Sequence, residues 1–140
     1  MNLYLSEFAV SENIQQHPCY LKAIDTVLTF CTEHSVHCWR SAEFVEYHEI
    51  EQRLNASDVF VALIDRYWTS STWKGFEFTY ASGGASMNGS VKGKTIPTRI
   101  AFLAGGIEFP SFLRGCPRPI EIANTISELK DALVLTRSSA

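Results

Sequence analysis

Residues 59–65, VFVALID, form an unbroken run of apolar and β-branched side chains that ends in one carboxylate. A strand with one wet face alternates apolar and polar residues. A run this short without alternation reads as a strand buried on both faces, the position of a central strand in a parallel sheet. Working outward, residues 71–81, STWKGFEFTYA, follow at helical spacing. Trp73, Phe76, Glu77, Tyr80 and Ala81 fall at i, i+3, i+4, i+7 and i+8, which predicts one apolar helix face with Glu77 on it. Thr69, Ser70 and Ser71 are the candidate caps.

Toward the N-terminus, 2–9 reads as a strand, 11–18 as a polar loop and 19–33 as an amphipathic helix entered at Pro18. In that helix Tyr20, Leu21, Ile24, Val27, Leu28 and Cys31 recur at helical spacing. A short strand is expected at 36–39. A helix follows, with Ile50 and Leu54 inward and Glu46, Glu49, Glu51, Gln52 and Arg53 outward. Beyond 81, the Gly- and Ser-rich stretch 83–94 reads as a loop and 98–106 as another buried strand. A short strand near 120–122 and a helix from Thr125 or Ser127 complete the pattern. Alternating strands and helices predict an α/β fold: a flavodoxin-like three-layer α/β/α sandwich on a parallel sheet of about five strands, spanning 1–140 as one domain. Such sheets bind ligands beyond the carboxyl ends of their strands. Here that means the loops after Ala9, Trp39 and Asp65 and the helix start near Ser71.

The 140 residues, 46% of them hydrophobic, are enough for one substantial core. A net charge of −3 with scattered Lys and Arg argues against a nucleic-acid partner. The apolar runs are too short to cross a bilayer, and the first residues lack a secretory pattern, so the expectation is a cytoplasmic protein with no membrane partner. The four cysteines are then expected to be reduced thiols. Cys31, His34, His37 and Cys38 have metal-ligand chemistry, but they straddle a helix end and a strand, where His37 and Cys38 point to opposite sides. No metal site is expected there. His48 beside Glu49 sits on a charged helix and reads as solvated.

Glu77 is the residue that needs a reason, because an unpaired carboxylate on an apolar face is costly to bury. One reason is pairing with Arg53, Arg66 or Arg99; the other is a ligand cleft walled by aromatics, in which the carboxylate's pKa rises. The segment DRYWTSSTWKGFEFTYA (65–81) resembles TIR (Toll/interleukin-1 receptor) domains, in which a Ser-rich helix start is followed by Trp-x-x-x-Glu. Ser70, Ser71, Thr72, Trp73 and Glu77 carry that resemblance. So do the preceding Ser57–Asp58 and apolar strand, the Arg66–Tyr67–Trp68 loop, and a first strand ending in Ser6. It covers the N-terminal two-thirds of the chain. Lys74 stands where the family has a cysteine, and SAEFVEY (41–47) lacks the usual glycine or proline. Nucleoside 2-deoxyribosyltransferases are similar in topology and also carry a glutamate followed by alanine on such a helix.

Both resemblances imply chemistry at a ribosyl carbon beside an N-glycosidic bond. The first implies an enzyme that cleaves nicotinamide from NAD, with Glu77 catalytic, NAD as substrate rather than cofactor, and self-association through TIR-type contacts. It also implies a setting in prokaryotic defence or signalling. Ser6, Phe8, Trp39, Asp65, Tyr67, Ser71 and Trp73 are the candidate substrate-binding residues, with Trp68 as a further stacking candidate. A binding-only TIR interaction module is the non-enzyme alternative.

Overall fold

The computed structural model describes residues 1–8, 18–41, 46–84 and 93–138. Five strands form one sheet: β1 (Asn2–Ser6), β2 (His37–Arg40), β3 (Val59–Ile64), β4 (Thr98–Leu103) and β5 (Glu121–Ala123). Their order is β2-β1-β3-β4-β5, and every pairing is parallel. Five helices accompany them: α1 (Pro18–Glu33), α2 (Tyr47–Asn55), α3 (Arg66–Thr69), α4 (Thr72–Ala81) and α5 (Ile126–Ser138). This is the flavodoxin-like three-layer α/β architecture.

The stretch 59–65 behaves as its composition demands. All six residues of β3 are buried, and β3 lies between β1 and β4 in the middle of the sheet. Alternate residues feed two cores. Leu3, Leu5, Val59, Val61 and Leu63 face α1 and α5, together with Val27, Phe30 and Leu133. Tyr4, Phe60, Ala62 and Ile64 face the other side, packed with Ile50, Leu54, Trp68, Phe78 and Ala81 from α2, α3 and α4. The period-two alternation of a strand is what delivers consecutive residues to opposite layers.

Pro18 is the first residue of α1, where a missing N–H costs nothing. The helix ends in a Schellman turn: Val36 N–H donates to Cys31 C=O at 2.8 Å and Ser35 N–H to Thr32 C=O at 3.5 Å, with Ser35 at φ 55°. Leu21, expected inward, is 57% exposed; Ala23 and Phe30 take the inward face instead. Strand β4 stops at Leu103, and the expected continuation to 106 is a 3₁₀ turn in which Gly105 and Gly106 have positive φ. Two adjacent glycines allow a left-handed bend that ends the strand. Thr125 rather than Ser127 caps α5, through a reciprocal box in which Glu128 N–H donates to Thr125 Oγ1 at 3.1 Å. The loop expected at 83–94 falls mostly on residues 85–92, which with Ala9 and residues 42–45 lie outside the described residues. Among the described residues, no helix is long and apolar enough to cross a membrane.

Candidate functional site

In this strand order the chain leaves β1 for β2 on one side and returns to β3 on the other, so the switch point lies between the carboxyl ends of β1 and β3. Ser6 ends β1, and Asp65 follows β3. Asp65 caps the short helix α3, with Oδ1 accepting from Trp68 N–H at 2.8 Å. Ser71 caps α4, accepting from Lys74 N–H at 3.4 Å. These two caps turn the chain twice within a few residues and set α4 over the end of β1.

Glu77 is completely buried there. Its Oε2 accepts from Ser6 Oγ at 2.6 Å, and its Oε1 accepts from Lys74 Nζ at 3.1 Å. Lys74 also donates to Ser41 Oγ at 2.8 Å, and Trp68 Nε1 donates to Ser6 Oγ at 3.1 Å. Ser41 Oγ in turn donates to the Glu7 carbonyl at 3.1 Å and accepts from Glu7 N–H at 3.0 Å. The phenol of Tyr4 borders the cluster, buried and without a well-formed hydrogen bond among the described residues. Burial raises the Glu77 pKa, and the Lys74 ammonium and the Ser6 hydroxyl pull it back down. Burial raises the Tyr4 pKa as well, reinforced by the negative charge of Glu77. The geometry is therefore a carboxylate in a dry environment, held by one ammonium and one hydroxyl, at the switch point of the sheet.

Beside this cluster, Glu7 is 2% exposed. Its Oε1 receives Arg40 Nε at 3.1 Å and Nη2 at 2.5 Å, while Oε2 has no partner among the described residues. Glu7 lies just after β1, which ends at Ser6 rather than running to Ala9 as expected; nothing in its spacing marked it as buried. Lys74 carried a signal, since it precedes Glu77 by three on a helix, the spacing of a helical ion pair. Tyr4 follows from Ser6 by the alternation of a strand. Ser41 had no sequence signal.

The arginines expected as structural partners of Glu77 are elsewhere. Arg53 lies over the Trp39 ring, Arg66 over the Tyr67 ring, and Arg99 donates to Ser82 Oγ. The inward face of α4 is Lys74, Glu77, Phe78 and Ala81, with Tyr80, so it is rotated by about one residue from the expected face. Trp73 is left 39% exposed, edge-on to Phe76, and does not wall Glu77. The rotation follows from the lysine: turning Lys74 inward gives Glu77 its counter-charge and moves Trp73 outward. Trp68 is fully buried against Phe78 and has no free face for stacking on a ligand. Phe8 and Tyr67 stack on each other at 6.2 Å and are half-buried, whereas Trp39 packs beneath Arg53 and against His37. Ser6 is therefore the predicted binding residue that touches Glu77 directly. Ser71 lines a separate cavity of about 320 Å³ with Thr72, Gly75, Thr79 and Phe112 on the outer side of α4.

Cys31, His34, His37 and Cys38 do not converge as a ligand set. Among the described residues, the grouping with metal-compatible spacing is Glu46, His48 and Glu49, on the exposed start of α2. Comparison of the chain with protein-family models, with curated proteins and with solved structures finds no match.

Proposed function

We propose that the chain is a TIR-like enzyme that cleaves the nicotinamide N-glycosidic bond of NAD, with Glu77 as the catalytic carboxylate. The observation that carries this reading is the position and environment of Glu77: a fully buried carboxylate at the switch point, hydrogen-bonded to Ser6 and Lys74. When the C1′–N bond breaks, nicotinamide leaves as a neutral molecule with the bonding electron pair, and the ribose acquires oxocarbenium character. A carboxylate close to that carbon stabilises the charge most strongly where water is excluded. Attack by water at C1′ with loss of a proton gives ADP-ribose; attack by a nitrogen of the adenine ring gives a cyclic product.

In the free protein the counter-charge of Glu77 is Lys74, whose side chain is 10% exposed and is the more accessible member of the pair. Substrate entry requires that side chain to swing outward, so that the developing ribosyl cation replaces the ammonium. Ser6 then holds the carboxylate in place. Phe8 and Tyr67, which stack on each other half-buried near the same strand ends, are the aromatic pair this reading assigns to a flat ring of the substrate. Self-association through TIR-type contacts and a role in prokaryotic defence or signalling belong to the same reading and rest on the resemblance; a cytoplasmic location is proposed with it.

The enclosure of Glu77 favours a second reading. With both carboxylate oxygens occupied inside the chain, the same cluster also suits a binding-only TIR module whose buried ion pair is structural. Nicotinamide release from NAD by concentrated protein, beside Glu77→Gln, separates the two. The enzyme reading expects release that falls about 100-fold or more in the variant, assayed at a temperature where circular dichroism shows both proteins folded. Absence of release from the unmodified chain at high concentration, with a panel of nucleosides equally inert, leaves the module.

A further inference from the structure

Ser41 follows the last residue of β2 and is 3% exposed. Its hydroxyl donates to the Glu7 carbonyl at 3.1 Å and accepts from Glu7 N–H at 3.0 Å and from Lys74 Nζ at 2.8 Å. A hydroxyl offers one proton and two lone pairs, so this one is fully used. Because its proton is committed to Glu7, the side it turns to α4 is an acceptor, matched to an ammonium. Lys74 Nζ therefore lies between two acceptors from different elements, Ser41 Oγ at 2.8 Å and Glu77 Oε1 at 3.1 Å. An ammonium on a flexible aliphatic stem is strongly hydrated and turns to water where a route exists. Lys74 has a route, since its side chain is 10% exposed whereas that of Glu77 is 0% exposed. The bond from Ser41 is charge-assisted and weights the inward position against that pull.

We propose that Ser41 is a positioning residue of the Glu77 site: it latches the Lys74 ammonium against the carboxylate and so sets how readily Lys74 gives way to a substrate cation. The proposal rests on the reading of Glu77 as the catalytic carboxylate. Ser41 acts through Lys74, and it ties the ends of β1 and β2 to α4 in doing so. A hydrogen bond to a charged group shifts an equilibrium by about 10- to 100-fold. Without the latch, the outward position of Lys74 gains by that factor. Apparent affinity scales with the fraction of protein in the binding-competent form, so the latch weakens substrate binding in the unmodified chain. In return it keeps the buried carboxylate neutralised while the site is empty.

The test follows the carbon-13 signal of the Glu77 side-chain carboxyl in the full chain from acid to mildly alkaline pH, assigned by its loss in Glu77→Gln. The titratable groups acting on Glu77 are Lys74 from its own helix and Tyr4 from β1, whose phenol burial keeps protonated. Moving the ammonium away removes the interaction that favours the carboxylate. Ser41→Ala is therefore expected to raise the Glu77 midpoint by about one pH unit, a tenfold change in proton affinity. Ser41→Thr keeps the hydroxyl and is expected to keep the original midpoint. Added to Lys74→Met, Ser41→Ala is expected to raise the midpoint no further. An unchanged midpoint in Ser41→Ala overturns the proposal, and so does an additional rise in the double variant. If Ser41→Ala fails to fold by circular dichroism, Ser41→Cys carries the same expectation, because a thiol is a weak acceptor. Nicotinamide release then reads the catalytic side: the KM for NAD is expected to fall about 10-fold in the latch variant, with a smaller change in kcat. A KM that rises or stays fixed overturns the latch. The titration needs no NAD, so it decides the role of Ser41 even where absence of release from the unmodified chain overturns the reading of Glu77.

Discussion

At the scale of the residue, the pair that decides the site is Lys74 and Glu77, joined at 3.1 Å inside the protein. Burial raises the Glu77 pKa and Lys74 lowers it, so removing the ammonium leaves the burial effect unopposed. In Lys74→Met the folded-state pKa of Glu77 therefore rises further above its unfolded value of about 4.3. A carboxyl group whose pKa is raised by folding contributes stability that is fully present below the unfolded pKa and is lost as pH rises through the folded pKa. Urea midpoints of Lys74→Met measured from pH 4 to pH 8 should fall with pH by more than those of the unmodified chain; parallel profiles would show that Lys74 is not the counter-charge. Removing both charges has the opposite consequence. Lys74→Met with Glu77→Leu should match or exceed the original stability by up to about 4 kcal/mol, because two desolvation costs vanish together. Glu77 was legible in the sequence as a residue needing a partner; the identity of the partner was not. Helical spacing pointed to the face of Trp73 and Phe76, one residue away from the one that is buried, because a lysine counts as polar in any such reading. Its inward rotation is decided by contact with Ser41, thirty-three residues away in the chain.

At the scale of the element, the turn between α1 and β2 shows where local sequence and structure disagree. Ser35 holds the left-handed position of the Schellman turn at φ 55°, a conformation that costs a residue with a Cβ about 1–2 kcal/mol relative to glycine. Ser35 is exposed and its side chain is not needed for the turn. Ser35→Gly should raise the urea midpoint at an unchanged slope, by about 1 kcal/mol after allowing for the greater freedom of glycine in the unfolded chain. A lowered midpoint would mean that the hydroxyl supports the turn. This turn also carries Val36 and Cys38 back onto the core that contains Cys31. The Cys and His residues there take part in packing: Cys31 is buried in the core and His34 lies against Phe30. Strong periodicity marked the elements more surely than their inward faces: α2 presents Ile50 and Leu54 inward as its spacing requires, whereas α4 is turned by about one residue. Ends were less readable. The short helix α3 was hidden in a loop because an Asp65 cap needs only four following residues to close a turn.

At the scale of the whole molecule, the sheet order puts the most apolar strands at the centre and the shortest or most polar ones at the edges. Strand β3 is buried along its full length between two partners, whereas β5 has three residues, two of them exposed, and β2 begins with an exposed residue and stays half-buried. The parallel α/β layering was legible because a continuous apolar run is tolerated only where helices cover both faces of a strand. The strand order was not, because every parallel order shares that alternation of strands and helices. The order has a measurable consequence. Local opening of an edge strand breaks one ladder and exposes little apolar surface, but opening β3 separates two ladders and uncovers both cores. Amide hydrogen exchange should therefore be slowest for Phe60 to Leu63, with an opening free energy equal to that of global unfolding, in the range of about 5–15 kcal/mol. The amides of β5 and β2 should exchange through smaller openings that respond weakly to added urea. If β3 instead exchanged as fast as β5, the central position assigned to VFVALID would be wrong, and with it the switch point that brings Ser6 and Glu77 together.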